Sequence, residues 1–298
     1  MTSSRKIRGR LFFILSSLKQ DITMKIINKE ILNDAAVGRI IRIEVSSLDI
    51  ARKVEPGQFV VLMASEEGER VPLTVVDADK HNGVITLIFQ EAGLTTGLLG
   101  KLNPGDSLYA LAGPLGHPTE IKHYGKVIVV GGGVGIAEIY PVARAFKKAG
   151  NRITTILGAR SKDLLILSDE LKSVSDDFYT ITDDGSCGRK GFTTDILQEL
   201  LSRDKYDLVY AVGPLPMMRK VSVVAGGFGT KTIVSLNAIM VDGTGMCGCC
   251  RVTVAGEVKF SCVDGPEFQA QAVDWDELMK RNAVYADKEK HICKLKAV

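Results

Sequence analysis

The stretch Lys126-Val-Ile-Val-Val-Gly-Gly-Gly-Val-Gly-Ile-Ala137 constrains the fold more than any other: an unbroken apolar run stops at a row of glycines, and a helical pattern follows over Glu138–Ala149. A strand without polar alternation is covered on both faces, which calls for a parallel sheet flanked by helices. The rhythm then repeats. Ile153–Leu157, Phe178–Thr182 and Leu208–Val212 read as strands, with helices expected around Asp163–Val174, around Thr193–Ser202 and after Pro216, and a sixth element at Thr232–Leu236. Strands alternating with helices predict an α/β parallel-sheet domain over 122–236.

Ahead of this region the period differs. Apolar stretches at Gly38–Val45, Gln58–Met63, Leu73–Val76, Val84–Phe89 and Ser107–Leu111 are separated by the turn signals Glu55-Pro-Gly57, Asn82-Gly83, Asn103-Pro-Gly-Asp106 and Gly113-Pro-Leu-Gly116. Many short strands with such punctuation predict a small N-terminal antiparallel β-barrel over 24–121. Residues 237–298, rich in glycine and cysteine, form a small C-terminal module with a polar tail. The fold class expected is therefore mixed. Residues 1–23 read as an extension outside the fold: the basic run Arg5–Arg10 and the short apolar run Leu11–Leu15 resemble a weak targeting signal without a small-residue cleavage site. No run reaches the roughly 18 apolar residues of a membrane-spanning helix, so no membrane is expected as a partner. With 38 basic and 35 acidic residues the formal charge is +3, which gives no reason to expect nucleic acid.

The glycines have a chemical reading. Gly131, Gly132, Gly133 and Gly135 end a buried strand and open a helix at Ile136-Ala137. Glycine lets a pyrophosphate approach the backbone, and the helix N-terminus offers free N–H groups and partial positive charge. The bland alternative is a tight strand–helix turn. The repeated strand–helix units favour dinucleotide binding, because ligands sit at strand carboxyl ends.

Four of the six cysteines fall within the sixteen residues from Cys247 to Cys262. A secreted disulfide protein would spread them more evenly, so the concentration favours a metal site in a reducing, cytoplasmic compartment. The pattern Asp242-x4-Cys247-x2-Cys250-x11-Cys262 has the spacing by which plant-type ferredoxins hold a [2Fe–2S] cluster, with aspartate in place of the first cysteine. A zinc site on Cys247, Cys249, Cys250 and Cys262 is the alternative; adjacent ligands at 249 and 250 are awkward for tetrahedral closure. Cys249 reads as a passenger, and Cys187 and Cys293 as inert.

The glycine loop, together with Gly158-Ala159-Arg160, Asp184-Gly185 and Val212-Gly213-Pro214-Leu-Pro-Met217, resembles the nicotinamide domain of ferredoxin reductase-type flavoproteins. Glu138 stands where that family often has proline, and Val212 where it often has cysteine. The resemblance extends to the barrel. Pro72-Leu73-Thr74 resembles the family's flavin-contacting strand, with Val71 in its arginine position. Gly93-Leu-Thr95-Thr96 resembles its pyrophosphate loop, with Thr95 for a glycine. Ile88-Phe89-Gln90 would carry backbone contacts to the flavin. Barrel, nicotinamide domain and cluster loop in this order resemble the electron-transfer subunit of dihydroorotate dehydrogenase over about residues 25–280. Ser235–Cys247, with Asp242 as first ligand, looks closer to the small subunit of NADH-dependent reduced ferredoxin:NADP oxidoreductase, an electron-bifurcating enzyme whose larger partner subunit carries a second flavin and [4Fe–4S] clusters.

These resemblances imply an oxidoreductase subunit holding FAD, a [2Fe–2S] cluster and NAD(H) or NADP(H). It would exchange hydride with the nicotinamide and electrons with the cluster, and would reach ferredoxin only through its partner in a heterodimer. The alternatives are the dihydroorotate dehydrogenase subunit and a non-enzymatic metal-binding regulator on a reductase scaffold. Arg160 could hold the 2′-phosphate of NADP, whereas Asp184 could favour a free ribose; the resemblance implies NAD.

Overall fold

The computed structural model describes residues 24–34, 38–285 and 288. The basic and apolar runs before Met24, and Cys293, lie outside them.

Six strands form the first sheet: β1 (Ile26–Asn33), β2 (Ile40–Ser46), β3 (Phe59–Met63), β4 (Val71–Asp79), β5 (Val84–Gln90) and β6 (Ala110–Leu115), in the order β1-β2-β5-β4-β3-β6 with antiparallel neighbours throughout. Short helices α1 (Leu48–Lys53) and α2 (Leu94–Leu99) lie in its connections. Alternation along β2 sends Ile41, Ile43 and Val45 into a core with Val60, Leu62, Leu87 and Phe89. The sheet closes on itself. Ile26 N–H donates to the Asp106 carbonyl (2.9 Å), Leu108 N–H to that of Met24 (2.9 Å), and Lys25 bridges Ser107. This closure occupies Ser107 and Leu108, so the strand expected at Ser107–Leu111 begins at Ala110 instead.

One irregularity in the barrel matters for function. Val71–Thr74 of β4 pairs with β3, and Val75–Asp79 pairs with β5 across a bulge. The β4–β5 ladder stops at Val75–Leu87, so Pro72–Thr74 and Ile88–Gln90 diverge into a splay. Pro72, which lacks an N–H, sits where β4 has a neighbour on one side only.

The second sheet contains β7 (Lys126–Gly132), β8 (Arg152–Ala159), β9 (Asp177–Thr182), β10 (Arg189–Lys190), β11 (Leu208–Val212), β12 (Thr232–Ser235) and, after the hairpin β13 (Arg251–Val254)–β14 (Glu257–Phe260), β15 (Glu267–Gln269). Its order is β10-β9-β8-β7-β11-β12-β15, parallel except for β15. Helices α3 (Gly135–Lys148), α4 (Ser168–Ser173), α5 (Thr193–Arg203) and α6 (Leu215–Gly227) cover it, and α7 (Trp275–Asn282) follows β15. The helix expected over Asp163–Val174 is broken. A 3-10 turn at Lys162–Leu164 and a left-handed Leu167 (φ 51°) precede α4, and Leu164, Ile166 and Leu167 are all buried.

Barrel and sheet are tied by a polar cluster. Glu267 of β15 accepts from the hydroxyls of Thr119 (2.5 Å) and Tyr210 (2.7 Å). Burial pushes the Glu267 carboxyl above its ordinary value, against the two hydroxyls, which lower it. A raised carboxyl contributes stability that is complete below its unfolded pKa and is lost as pH rises through the folded one. Glu267→Gln is therefore expected to hold its melting temperature at alkaline pH at least as well as wild type. Glu267→Leu should cost about 1–3 kcal/mol by leaving two hydroxyls without a partner. Thermal melts from mildly acidic to alkaline pH check both.

Candidate functional site

The chain leaves β7 for β8 on one side and reaches β11 on the other, so the crevice beyond β7 is the switch point where ligands bind in such sheets. A cleft of about 750 Å³ lies there, walled by the barrel at Ile40, Gln90 and Glu91, by the glycine loop, and by Asn237 at the start of the C-terminal segment.

The loop glycines serve different ends. A Cβ on Gly131 would stand 2.7 Å from Ile139, and one on Gly135 2.7 Å from the Val212 carbonyl; on Gly132 it would overlap the Met217 sulfur. These three permit close packing of strand, helix and neighbouring loop. Gly133 differs: its φ is +56°, and a Cβ would meet nothing within 4 Å, because it would project into open space. The structure places Gly132, Gly133, Gly135, Ala159, Arg160, Gly213, Pro214 and Met217 on the cleft wall, as it does Gln90. Ile136 and Ala137 are buried in the core under α3, so their side chains support the loop. Asp184 and Gly185 form an exposed turn away from the wall. Asp184 accepts from the Ser186 hydroxyl (2.6 Å) and N–H (2.9 Å), which together hold its carboxyl below the usual range, and its neighbour Asp183 lines the cleft instead.

Sequence reasoning missed Asp183, Thr193, Lys220 and Glu138 on this wall. Lys220 lies over the Phe192 ring at 5.0 Å, one turn into α6, where no local pattern marks it. Glu138 was visible as an acid at an unusual place in the loop. Its Oε2 accepts the Thr74 hydroxyl at 3.0 Å, joining α3 to β4. Burial pushes its carboxyl upward, with only Thr74 opposing.

On the barrel side, Pro72, Leu73 and Thr74 and the facing Ile88, Phe89 and Gln90 border the splay. Phe89 points into the barrel core, and Ile88 into the core shared with the second sheet. Gly93 begins α2 with open space at its Cβ position. Thr96 is occupied in holding that turn, accepting from Ala92 and Gly93 N–H (3.0 and 3.1 Å), and Thr95 donates to Glu69 (3.1 Å).

The eleven residues between Cys250 and Cys262 are the β13–β14 hairpin with its connections. Its turn uses Ala255 and Gly256, both at positive φ. The antiparallel ladder brings its two ends together: Ser261 N–H donates to the Cys250 carbonyl (3.0 Å), and the buried sulfurs of Cys250 and Cys262 stand 3.3 Å apart. Cys262 N–H also donates to the Cys250 sulfur at 3.4 Å. Burial, then the neighbouring thiol, pushes the Cys262 thiol up to about 12. Asp242 clasps the loop ahead of them, accepting from Thr244 N–H and Cys247 N–H at 2.7 Å each, and its carboxyl lies below the usual range, chiefly through Thr244. Cys247 is exposed, and hydrogen bonding between the Cys247 and Cys249 side chains pushes the Cys249 thiol upward. Cys187 sits apart, in a turn bonded to Thr182.

Among the described residues no three metal-ligating side chains converge on one point: the loop pairs Cys250 with Cys262, and Asp242 with the backbone of Cys247. The donor set nevertheless fits an iron–sulfur cluster better than a bare ion. It offers thiols on a loop opened by Gly243, Gly245 and Gly248, all at positive φ, and the buried Ser261 hydroxyl beside Cys262 has no protein partner. A Cβ on Gly243 would stand 2.8 Å from Leu115 and 2.9 Å from Val61, so this glycine seats the loop directly on the barrel.

Two family models match the chain. One is described as the iron–sulfur cluster binding domain of dihydroorotate dehydrogenase B, over residues 237–274; the other as an oxidoreductase NAD-binding domain, over residues 129–222. A protein of Thermotoga maritima named as a dihydroorotate dehydrogenase B (NAD(+)) electron transfer subunit homolog is 52% identical, covering 83% of this chain and 87% of its own. The electron transfer subunit of dihydroorotate dehydrogenase B from Bacillus caldolyticus is 33% identical over 74% of this chain and 86% of its own. A solved structure reported for flavin-based electron bifurcation in an NADH-dependent reduced ferredoxin–NADP oxidoreductase superposes with a TM-score of 0.86 at 46% identity, covering 93% of this chain and 99% of that one. No helix of the described residues is long and apolar enough to cross a membrane. The chain belongs to the family of dihydroorotate dehydrogenase B-type electron-transfer subunits, oxidoreductases of ferredoxin reductase-like fold whose cofactors are FAD, a [2Fe–2S] cluster and NAD(P)H.

Proposed function

We propose that this chain is the small subunit of a ferredoxin–NAD(P) oxidoreductase complex that bifurcates electrons, working with a larger flavin- and iron–sulfur-containing subunit through which ferredoxin is reached. The observation that carries this reading is the Asp242-x4-Cys247-x2-Cys250-x11-Cys262 loop seated by Gly243 on Val61 and Leu115 of the barrel. The barrel thereby meets the cluster loop through Val61 and Leu115 and borders the glycine-loop cleft through Ile40, Gln90 and Glu91. The resemblance to the bifurcating enzyme's structure supports the same assignment.

Each cofactor has residues suited to it. Gly132, Gly133 and Gly135 would hold the dinucleotide pyrophosphate, with Ala159, Arg160, Gly213, Pro214 and Met217 around the rest of NAD(H). Pro72–Thr74 and Ile88–Gln90 would receive the flavin ring in the splay, and Gly93, Thr95 and Thr96 would approach its pyrophosphate. Asp242, Cys247, Cys250 and Cys262 would hold the iron; a carboxylate oxygen that accepts an N–H keeps a further lone pair for a metal. Bound FAD supplies the conversion between two-electron hydride chemistry and one-electron transfer. The protein contributes orientation and the exclusion of water. The domain division implied is 24–121 for flavin, 122–236 for the nicotinamide and 237–298 for the cluster.

A second reading, the electron-transfer subunit of an NAD-dependent dihydroorotate dehydrogenase, is favoured by the names of the Thermotoga and Bacillus relatives. The whole complex separates the two: after copurification with its partner, dihydroorotate should not reduce the flavins, whereas NADH and reduced ferredoxin together should reduce NADP to NADPH in the coupled assay. The chain purified without oxygen is expected to hold about one FAD and two iron atoms with inorganic sulfide. Stoichiometric zinc without iron would overturn the cluster assignment.

A further inference from the structure

One acid on the cleft wall has no part in the assignments above. Glu138, half-buried in the first turn of α3, faces the same cavity as Gly133 and Gln90. Thr74, on the strand assigned to the flavin, donates its hydroxyl proton to Glu138 Oε2. Among the described residues no basic side chain pairs with this carboxyl, whereas the next acid along β4, Asp77, is held by Arg144 at 2.6 Å. The other groups facing Glu138 are Tyr210 of β11, whose proton its charge helps to retain, and across the cavity Glu91, Arg160, Asp183 and Lys220. An uncompensated carboxylate on the wall of a cleft that ligands would dry is costly unless it takes up a proton.

We propose that Thr74 and Glu138 form a proton relay at the flavin edge of the cleft, in which Glu138 is a positioning residue acting through the Thr74 hydroxyl. The inference rests on the assignment of FAD to the splay. Hydride delivers two electrons together with a proton, whereas a cluster accepts electrons singly, so one proton must leave for each electron pair passed on. With FAD bound, Thr74 Oγ1 would take up the proton that the reduced flavin gives up. The hydroxyl's own proton moves to Glu138 Oε2 along the existing hydrogen bond, and Glu138 releases it to water at the open side of the cleft. Reverse flow brings a proton in by the same atoms. The upward push of burial on this carboxyl places it nearer the range where a group both binds and releases protons at neutral pH.

Glu138→Gln keeps an oxygen for Thr74 but cannot titrate. In the full chain loaded with FAD and the cluster, stopped-flow reoxidation of the reduced flavin across pH should show a break in the wild-type rate that Glu138→Gln lacks. Flavin reoxidation by the cluster should slow at least about tenfold, and the wild-type solvent deuterium isotope effect on that step should change. Glu138→Asp should restore a break at shifted pH. If Glu138→Gln binds FAD and keeps the wild-type reoxidation rate and pH profile, the relay is wrong. If Glu138→Gln loses FAD, Glu138→Asp decides: a shifted break supports the relay, and an unchanged profile overturns it. A wild-type chain that binds no FAD after reconstitution would instead overturn the flavin assignment, and the relay with it.

Discussion

Cys250→Ser and Asp242→Ala are expected to deplete the iron–sulfur cluster, while Cys249→Ser leaves it in place. Cys250 and Cys262 are brought to 3.3 Å by the hairpin ladder, so either one is half of a preassembled pair. Serine in place of Cys250 substitutes a hard oxygen for a soft thiolate at a buried site that iron–sulfur chemistry fills with sulfur. Asp242 has two ways to matter, as the first ligand and as the clasp on Thr244 and Cys247 N–H. Removing a metal's orienting partners alone typically costs about 10–100-fold in affinity, so Asp242→Ala should lose iron at least that readily. Asp242→Cys should retain a cluster with a shifted potential. Electron paramagnetic resonance of the dithionite-reduced protein, with iron and sulfide analysis, reads all four variants. Intact signals in Asp242→Ala alongside a lost signal in Cys249→Ser would transfer the ligand role to Cys249, which lies beside Cys247.

Gly133→Val should weaken NADH binding by roughly ten- to a hundredfold and leave FAD and iron content unchanged. Two costs combine. A β-branched residue at φ +56° is strained by about 1–3 kcal/mol. Its side chain would also fill the open space where a Cβ meets nothing within 4 Å, the approach a pyrophosphate requires. Each 1.4 kcal/mol is about tenfold in affinity. Gly132→Ala provides the contrast: its Cβ would overlap the Met217 sulfur, so its effect should appear as lost stability as well as lost binding. Titration of flavin reduction by NADH, beside thermal melts, separates the two, and unchanged NADH affinity in Gly133→Val would remove the loop from the nucleotide site.

The sequence by itself determined the alternation of strands and helices over 126–236 and the residue patterns on which the chemistry proposed for the two glycine-rich loops rests. Short unbroken apolar runs rich in β-branched residues and repeated between helical stretches read as doubly covered strands, and Leu208–Val212 is read from its residues as it stands in the sheet. The spacing of Asp242, Cys247, Cys250 and Cys262 is likewise local information, and one hairpin accounts for its longest gap. Tertiary structure alone decided what comes together from afar. The pairing of Met24–Ile26 with residues 105–108 closes the barrel, and no local pattern encodes a contact eighty residues away. The splay between Pro72–Thr74 and Ile88–Gln90 depends on a bulge whose position follows from ladder register. Asp183 rather than Asp184 lines the cleft because β9 ends at the buried Thr182, and the next side chain turns to the cavity while the one after it closes a turn on Ser186. Glu138 was legible as a misplaced acid, but its partner Thr74 lies sixty-four residues away on another sheet. Only the packing of α3 against the barrel makes the two a pair, because side-chain chemistry is written along the chain whereas proximity is settled by how the sheets bury their apolar faces.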